Sequence, residues 1–135
     1  MGRIITQLKL ANFTDADKSL AVPALVDTGA AYITLPNAWR EVLGDPEQLA
    51  EIEVELADQL AKKGFLCGPV RARIGEFRPI MAEVLFLDMA PAEDGGNEPL
   101  VGYIALEQAG AAVDMLGHRL LHVKHVDLKL ATRRQ

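Results

Sequence analysis

The chain has 135 residues, half of them hydrophobic and 24% charged, with a formal net charge of −5. That length suits one globular domain with a real core, and the acidity excludes a general nucleic-acid binder, which needs a basic surface against phosphates. A single cysteine, Cys67, excludes an internal disulfide, and no apolar run is long enough to span a membrane.

Residues 4–13, IITQLKLANF, alternate apolar and polar side chains and predict an opening strand. The N-terminus carries charges and lacks the continuous apolar stretch of a signal peptide, so the expected location is the cytoplasm. Residues 19–29, SLAVPALVDTG, predict a second strand running into a turn, and residues 32–36, YITLP, a short third one. Between them lies Asp27, a carboxylate set where the pattern calls for core. A buried carboxylate is costly unless it is paired, hydrogen-bonded or protonated. Either Asp27 is a turn residue whose side chain accepts backbone N–H groups at Thr28 and Gly29, or its chemistry is the function.

Residues 36–44, PNAWREVLG, predict one helix, with Pro36 in the first turn, Gly44 as the stop and Trp39 facing the core. The next segment, 46–64, is ambiguous. Leu49, Ile52, Leu56 and Leu60 lie near helical spacing, and the composition favours helix. Yet Ile52, Val54 and Leu56 alternate with Glu51, Glu53 and Glu55, which is the pattern of a strand with one wet face. Cys67 follows, read as an inert structural thiol, because a nucleophilic cysteine needs a histidine and a lowered pKa. Strands are predicted again over 68–75, 79–88 and 119–130, with a Pro-, Gly- and acid-rich loop over 89–99. Asp114 is expected to start a turn. His118, His122 and His125 share one face only on a helix, and their segment alternates like a strand, so they are read as surface histidines and no metal is expected. Charge is uneven. Residues 41–58 hold seven acids and no Lys or Arg, whereas 117–135 hold five basic residues and one acid. Two solvated surfaces explain that, as does a matched contact between chains.

The run Leu25-Val26-Asp27-Thr28-Gly29-Ala30 resembles the active-site strand of the retropepsin-like aspartic proteases. A second signature of that family, an apolar pair and a glycine before a short helix, is matched by Leu100, Val101 and Gly102, with the helix over 104–109. The resemblance covers nearly the whole chain, in order. It implies a mainly β, closed acid-protease barrel with one or two short helices, forming a single domain over 1–135. It also implies a flap hairpin at about 50–75, which settles the ambiguous segment as strand: 50–58 and 65–74 become the flap strands and 59–64 the tip.

The implied activity is that of an aspartic endopeptidase acting on a peptide or protein substrate without a cofactor. One monomer has one Asp-Thr-Gly, so the resemblance implies a homodimer with Asp27 contributed twice across a twofold axis. Thr28 braces the pair across the dimer, Gly29 admits close backbone approach, and Ala30 and Ala31 border the substrate groove. A non-catalytic dimerisation or peptide-binding module on the same fold is the alternative. Retroviral members pair an acid, two residues beyond the Gly-Ala pair, with an Arg after the second-motif glycine. Here those positions are Tyr32 and Tyr103, which implies that aromatic packing replaces an ion pair.

Overall fold

The computed structural model describes residues 3–55, 61–88 and 99–123. Its strands are β1 (Ile5–Asn12), β2 (Ser19–Val26), β3 (Ile33–Pro36), β4 (Gln48–Glu55), β5 (Ala61–Ile74), β6 (Ile80–Leu87), β7 (Leu100–Val101), β8 (Ala111–Asp114) and β9 (Arg119–His122). Among the described residues one α-helix, α1, spans Tyr103–Ala109. Six strands close a ring in the order β1-β2-β7-β3-β6-β5, with β5 pairing back onto β1. The two outer members of a small separate sheet, β8 and β9, pair only with each other.

Period-two patterning sets the walls of this barrel. In β1, Leu8 and Leu10 are buried while Lys9 faces out; in β5, Val70, Ala72 and Ile74 point in while Arg71 and Arg73 point out. Phe86, Ile33, Leu35, Val84 and Val101 complete the centre, all fully buried. Truncating such a large side chain costs about 3–5 kcal/mol, transfer and cavity together. The fourteen-residue β5 serves two partners in succession. Its first half pairs with β4 and its second half with β1, and a register irregularity against β6 between Cys67 and Val70 lets it turn from one to the other.

The ambiguous acidic segment is a strand, as the flap reading requires. On β4, Ile52 and Val54 pack against a second apolar cluster of Leu66, Leu85 and Leu87, and Glu51, Glu53 and Glu55 are solvated. Burial on one face outweighs helix propensity. The hairpin is longer than expected on its return side. Ala61 to Gly64, read as part of the tip, already belong to β5, with Glu55 opposite Ala61 and Lys63 forming an ion pair with Glu51 at 3.2 Å. The remaining tip positions lie outside the described residues.

The helix expected over 36–44 is absent. Asn37–Trp39 form a single 3-10 turn, and tight turns carry the chain on to Gly44, with N–H bonds from Arg40 to Asn37 and from Leu43 to Arg40. So short a helix nucleates poorly by itself, and tertiary contacts set the path instead. The Asn12 amide donates to the Leu43 carbonyl at 2.8 Å, Leu43 is fully buried and Trp39 packs on the core as expected. Of the predicted final strand only residues 119–123 fall among the described residues, with Arg119–His122 forming β9, and of the predicted loop only residue 99.

Candidate active site

Asp27 stands at the end of β2, where the strand stops and a turn begins. β7 runs parallel to β2, with Leu25 opposite Leu100 and Val26 opposite Val101. The Asp27 N–H extends this ladder to the Val101 carbonyl at 3.0 Å, and the Asp27 carbonyl accepts the Ala30 N–H at 3.0 Å. The side chain turns back over the same loop, its Oδ1 accepting the Gly29 N–H at 2.9 Å. A carboxylate oxygen held this way has a fixed direction. Asp27 is half-buried, and Thr28 and Gly29 are exposed. A Cβ on Gly29 would lie 3.2 Å from Asp27 Oδ1, tight against the oxygen that this loop orients.

The second motif locks the loop from behind. β7 enters the barrel between β2 and β3, pairing antiparallel with β3 through Thr34 and Leu100. Gly102 then crosses directly under the Asp27 turn. A Cβ there would fall 2.5 Å from Ala31 C, 2.6 Å from Ala30 O and 2.6 Å from Tyr32 N, all backbone atoms. The next two N–H groups, of Tyr103 and Ile104, donate to the carbonyls of Ala30 and Ala31 at 2.9 and 3.1 Å. First-turn N–H groups of a helix have no intrahelical partner, so α1 uses them to staple the loop. The helix starts at Tyr103, one residue before the expected position, and ends at Gly110, whose left-handed φ of 73° closes a C-terminal cap. Ala30 and Ala31 are half-buried, with their carbonyls committed to this staple.

A small cavity of about 190 Å³ opens beside Asp27 and Thr28 and is also lined by Arg3, Met115 and His118. Neither Arg3 nor His118 carried a local signal of this placement. Arg3 arrives because Ile4 accepts the Val26 N–H, and His118 because the β8–β9 turn folds back toward β2. That turn is built by Asp114, as expected. Its carboxylate accepts the N–H groups of Leu116 and Gly117 and pairs with Arg119 at 3.1 Å. These bonds, led by the one from Gly117, hold the Asp114 carboxyl below its ordinary range.

Tyr32 and Tyr103 do not pack on each other. Tyr32 lies against the cluster of Leu66, Leu85 and Leu87, while Tyr103 is exposed on the first turn of α1. Apolar packing thus takes the place of an ion pair at Tyr32, while Tyr103 presents its ring to solvent. His122 stacks on Phe77 with ring centroids 4.2 Å apart, and His125 lies outside the described residues. Among the described residues no group of three His, Cys, Asp or Glu side chains is close enough to hold a metal ion. Cys67 is buried, and that burial pushes its thiol up, with Arg40 opposing and Asp45 adding to the effect. Such a thiol is not an activated nucleophile. No helix among the described residues is long and apolar enough to cross a membrane.

A closed six-stranded barrel, an Asp-Thr-Gly turn and a glycine-led helix stapled beneath it together make a retropepsin-like fold. Solved structures share it, two of which illustrate the likeness. The EIAV protease, solved with the inhibitor HBY-793, aligns with a TM-score of 0.57 at 20% identity, over 84% of this chain and 94% of its own. A retropepsin-like aspartic protease from Rickettsia conorii aligns over the same shares at 18% identity, with a TM-score of 0.50. No protein-family model matches the sequence, and no curated protein sequence does.

Proposed function

We propose that the chain is an aspartic endopeptidase working as a homodimer, with one Asp27 carboxylate from each protomer around a shared water. The observation that carries this reading is the stapled loop. Backbone bonds from Tyr103 and Ile104 and the close passage of Gly102 fix the turn that presents Asp27 at an open surface.

The chemistry follows from like charges held close. Two adjacent carboxylates cannot both ionise comfortably, so the pair shares one proton. The ionised member takes a proton from the water as its oxygen attacks the scissile carbonyl carbon, and the protonated member donates to the carbonyl oxygen. Collapse of the resulting diol breaks the C–N bond as the protonated carboxyl gives its proton to the amine nitrogen and the ionised one takes the proton of a diol hydroxyl. This leaves a carboxylic acid, an amine and a dyad that again holds one proton. Thr28, exposed beside Asp27, supplies the hydroxyl that braces the partner loop, and Ala30 and Ala31 border the groove. Leu100, Val101 and Gly102 hold the loop from below, and the β4–β5 hairpin closes as the flap over an extended peptide.

Exposed apolar side chains support a second chain on this side. Met115 and Leu116 in the β8–β9 turn are 60% and 96% exposed, and Ile5, Leu121 and Val123 are exposed as well. Met115 also lines the cavity beside Asp27. Large apolar side chains left in water beside a site favour a partner surface there.

Cleavage of a mixed peptide library, repeated with Asp27→Asn, tests the proposal together with the solution mass. Expected are a dimer, cleavage by the parent with a bell-shaped pH–rate profile, and none by the variant. If neither protein cuts and both bind the same peptides, the chain is a binding module and not an enzyme.

A further inference from the structure

On the outer wall of the barrel, away from Asp27, β2, β1 and β5 form a shallow groove of about 570 Å³ with an unusual charge arrangement. Lys9 and Arg73 are directly opposed across the β1–β5 ladder, and Arg71 lies two residues before Arg73, opposite Ala11. Like charges facing each other across a ladder destabilise it. Arg73 is partly answered by its own chain: Nε donates to the Phe77 carbonyl at 2.8 Å, and the guanidinium lies 3.7 Å from Glu76. Lys9 and Arg71 have no carboxylate within ion-pair distance among the described residues. In a chain of net charge −5, three cations on one sheet face are a local reversal of sign. Apart from Ser19, the rest of the groove is apolar, with Ala11, Ala21 and Pro79 among its lining.

We propose that this groove binds an extended acidic peptide segment with carboxylates at alternate positions. Alternate side chains of an extended strand are about 6.7 Å apart, which is also the spacing of Arg71 and Arg73 along β5. A Glu-x-Glu segment laid along β5 therefore sets one carboxylate over Arg71 and the next over the Lys9–Arg73 pair, where Lys9 is the cation with no carboxylate of its own among the described residues. Lys9 sits beside the same row, and the alanines leave room for the peptide backbone. The site is independent of hydrolysis at Asp27, since Lys9 pairs with Ala21, six residues before Asp27 on β2.

The test is fluorescence anisotropy with a labelled Glu-Ala repeat peptide at low ionic strength, using Asp27→Asn protein so that nothing is cut. Saturable binding is expected that added salt weakens. Lys9→Gln and Arg71→Gln are each expected to weaken it by about 1.4- to five-fold, the range of single exposed ion pairs, with the double variant weaker still. Both positions are exposed and on different strands, so either variant alone decides the outcome if the other folds poorly. Binding that both substitutions leave unchanged overturns the proposal, as does the absence of saturable binding. Tighter binding of an oligothymidylate than of the Glu-Ala peptide assigns the groove to nucleic acid and overturns it equally.

Discussion

Gly102→Ala is the most direct probe of how the two halves of the site are joined. The added Cβ meets three backbone atoms of residues 30–32 at 2.5–2.6 Å, far inside any tolerated contact. Backbone cannot rotate away as a side-chain tip can, so either the Asp27 turn or the first turn of α1 must move. Movement of either breaks the Tyr103 and Ile104 bonds to Ala30 and Ala31. Two such bonds are worth about 1 kcal/mol each, and residual overpacking adds about 1–3 kcal/mol. A loss of roughly 3–5 kcal/mol is a large share of a domain stability of about 5–15 kcal/mol. With a urea slope of about 1.5 kcal/mol/M, the unfolding midpoint falls by roughly 2–3 M at unchanged slope. Gly110→Ala is the control: its Cβ meets nothing within 4 Å, and only its φ of 73° is strained, a cost of about 1–2 kcal/mol. If the two variants unfold at the same midpoint, steric exclusion at Gly102 is not what binds the second motif to the first.

Three further outcomes follow from the same geometry. Gly29→Ala sets a methyl 3.2 Å from Asp27 Oδ1; hydrolysis is expected to fall at least about tenfold, the effect of roughly 1.4 kcal/mol on the barrier, with a melting temperature close to the parent's. Asp114 is expected to titrate below its ordinary value of 3.8, read from its side-chain carboxyl resonance. Because the native carboxyl binds its proton less tightly than the unfolded one, its contribution to the β8–β9 turn is complete above 3.8. It is lost as pH falls through the lower native value, and Asp114→Asn abolishes that acid-side dependence. Cys67, buried and with its thiol pushed up, is expected to react with a thiol reagent at neutral pH only after denaturation; rapid labelling of the native protein would contradict the packing described.

Local pattern carried the reading of this chain furthest where one face of a segment is wet. Alternation of Glu with Ile and Val left β4 open between strand and helix, and only the resemblance to a flap hairpin decided for strand, while the Asp-Thr-Gly turn, Gly102 and the helix after it were all legible as short motifs. Those features depend on neighbours in sequence and on which side chains water will accept. Four things depended on distant contacts. The segment 36–44 gave up its helix to packing by Leu43 and the Asn12 amide. Strand β7 found its place between β2 and β3, and Arg3 and His118 came to Asp27 across long stretches of chain. The cations of β1 and β5, unremarkable apart, became one groove when the barrel closed. Residue identity sets what a segment can do with its immediate surroundings; closing the barrel sets which distant groups become those surroundings, because register and burial are satisfied for all strands at once.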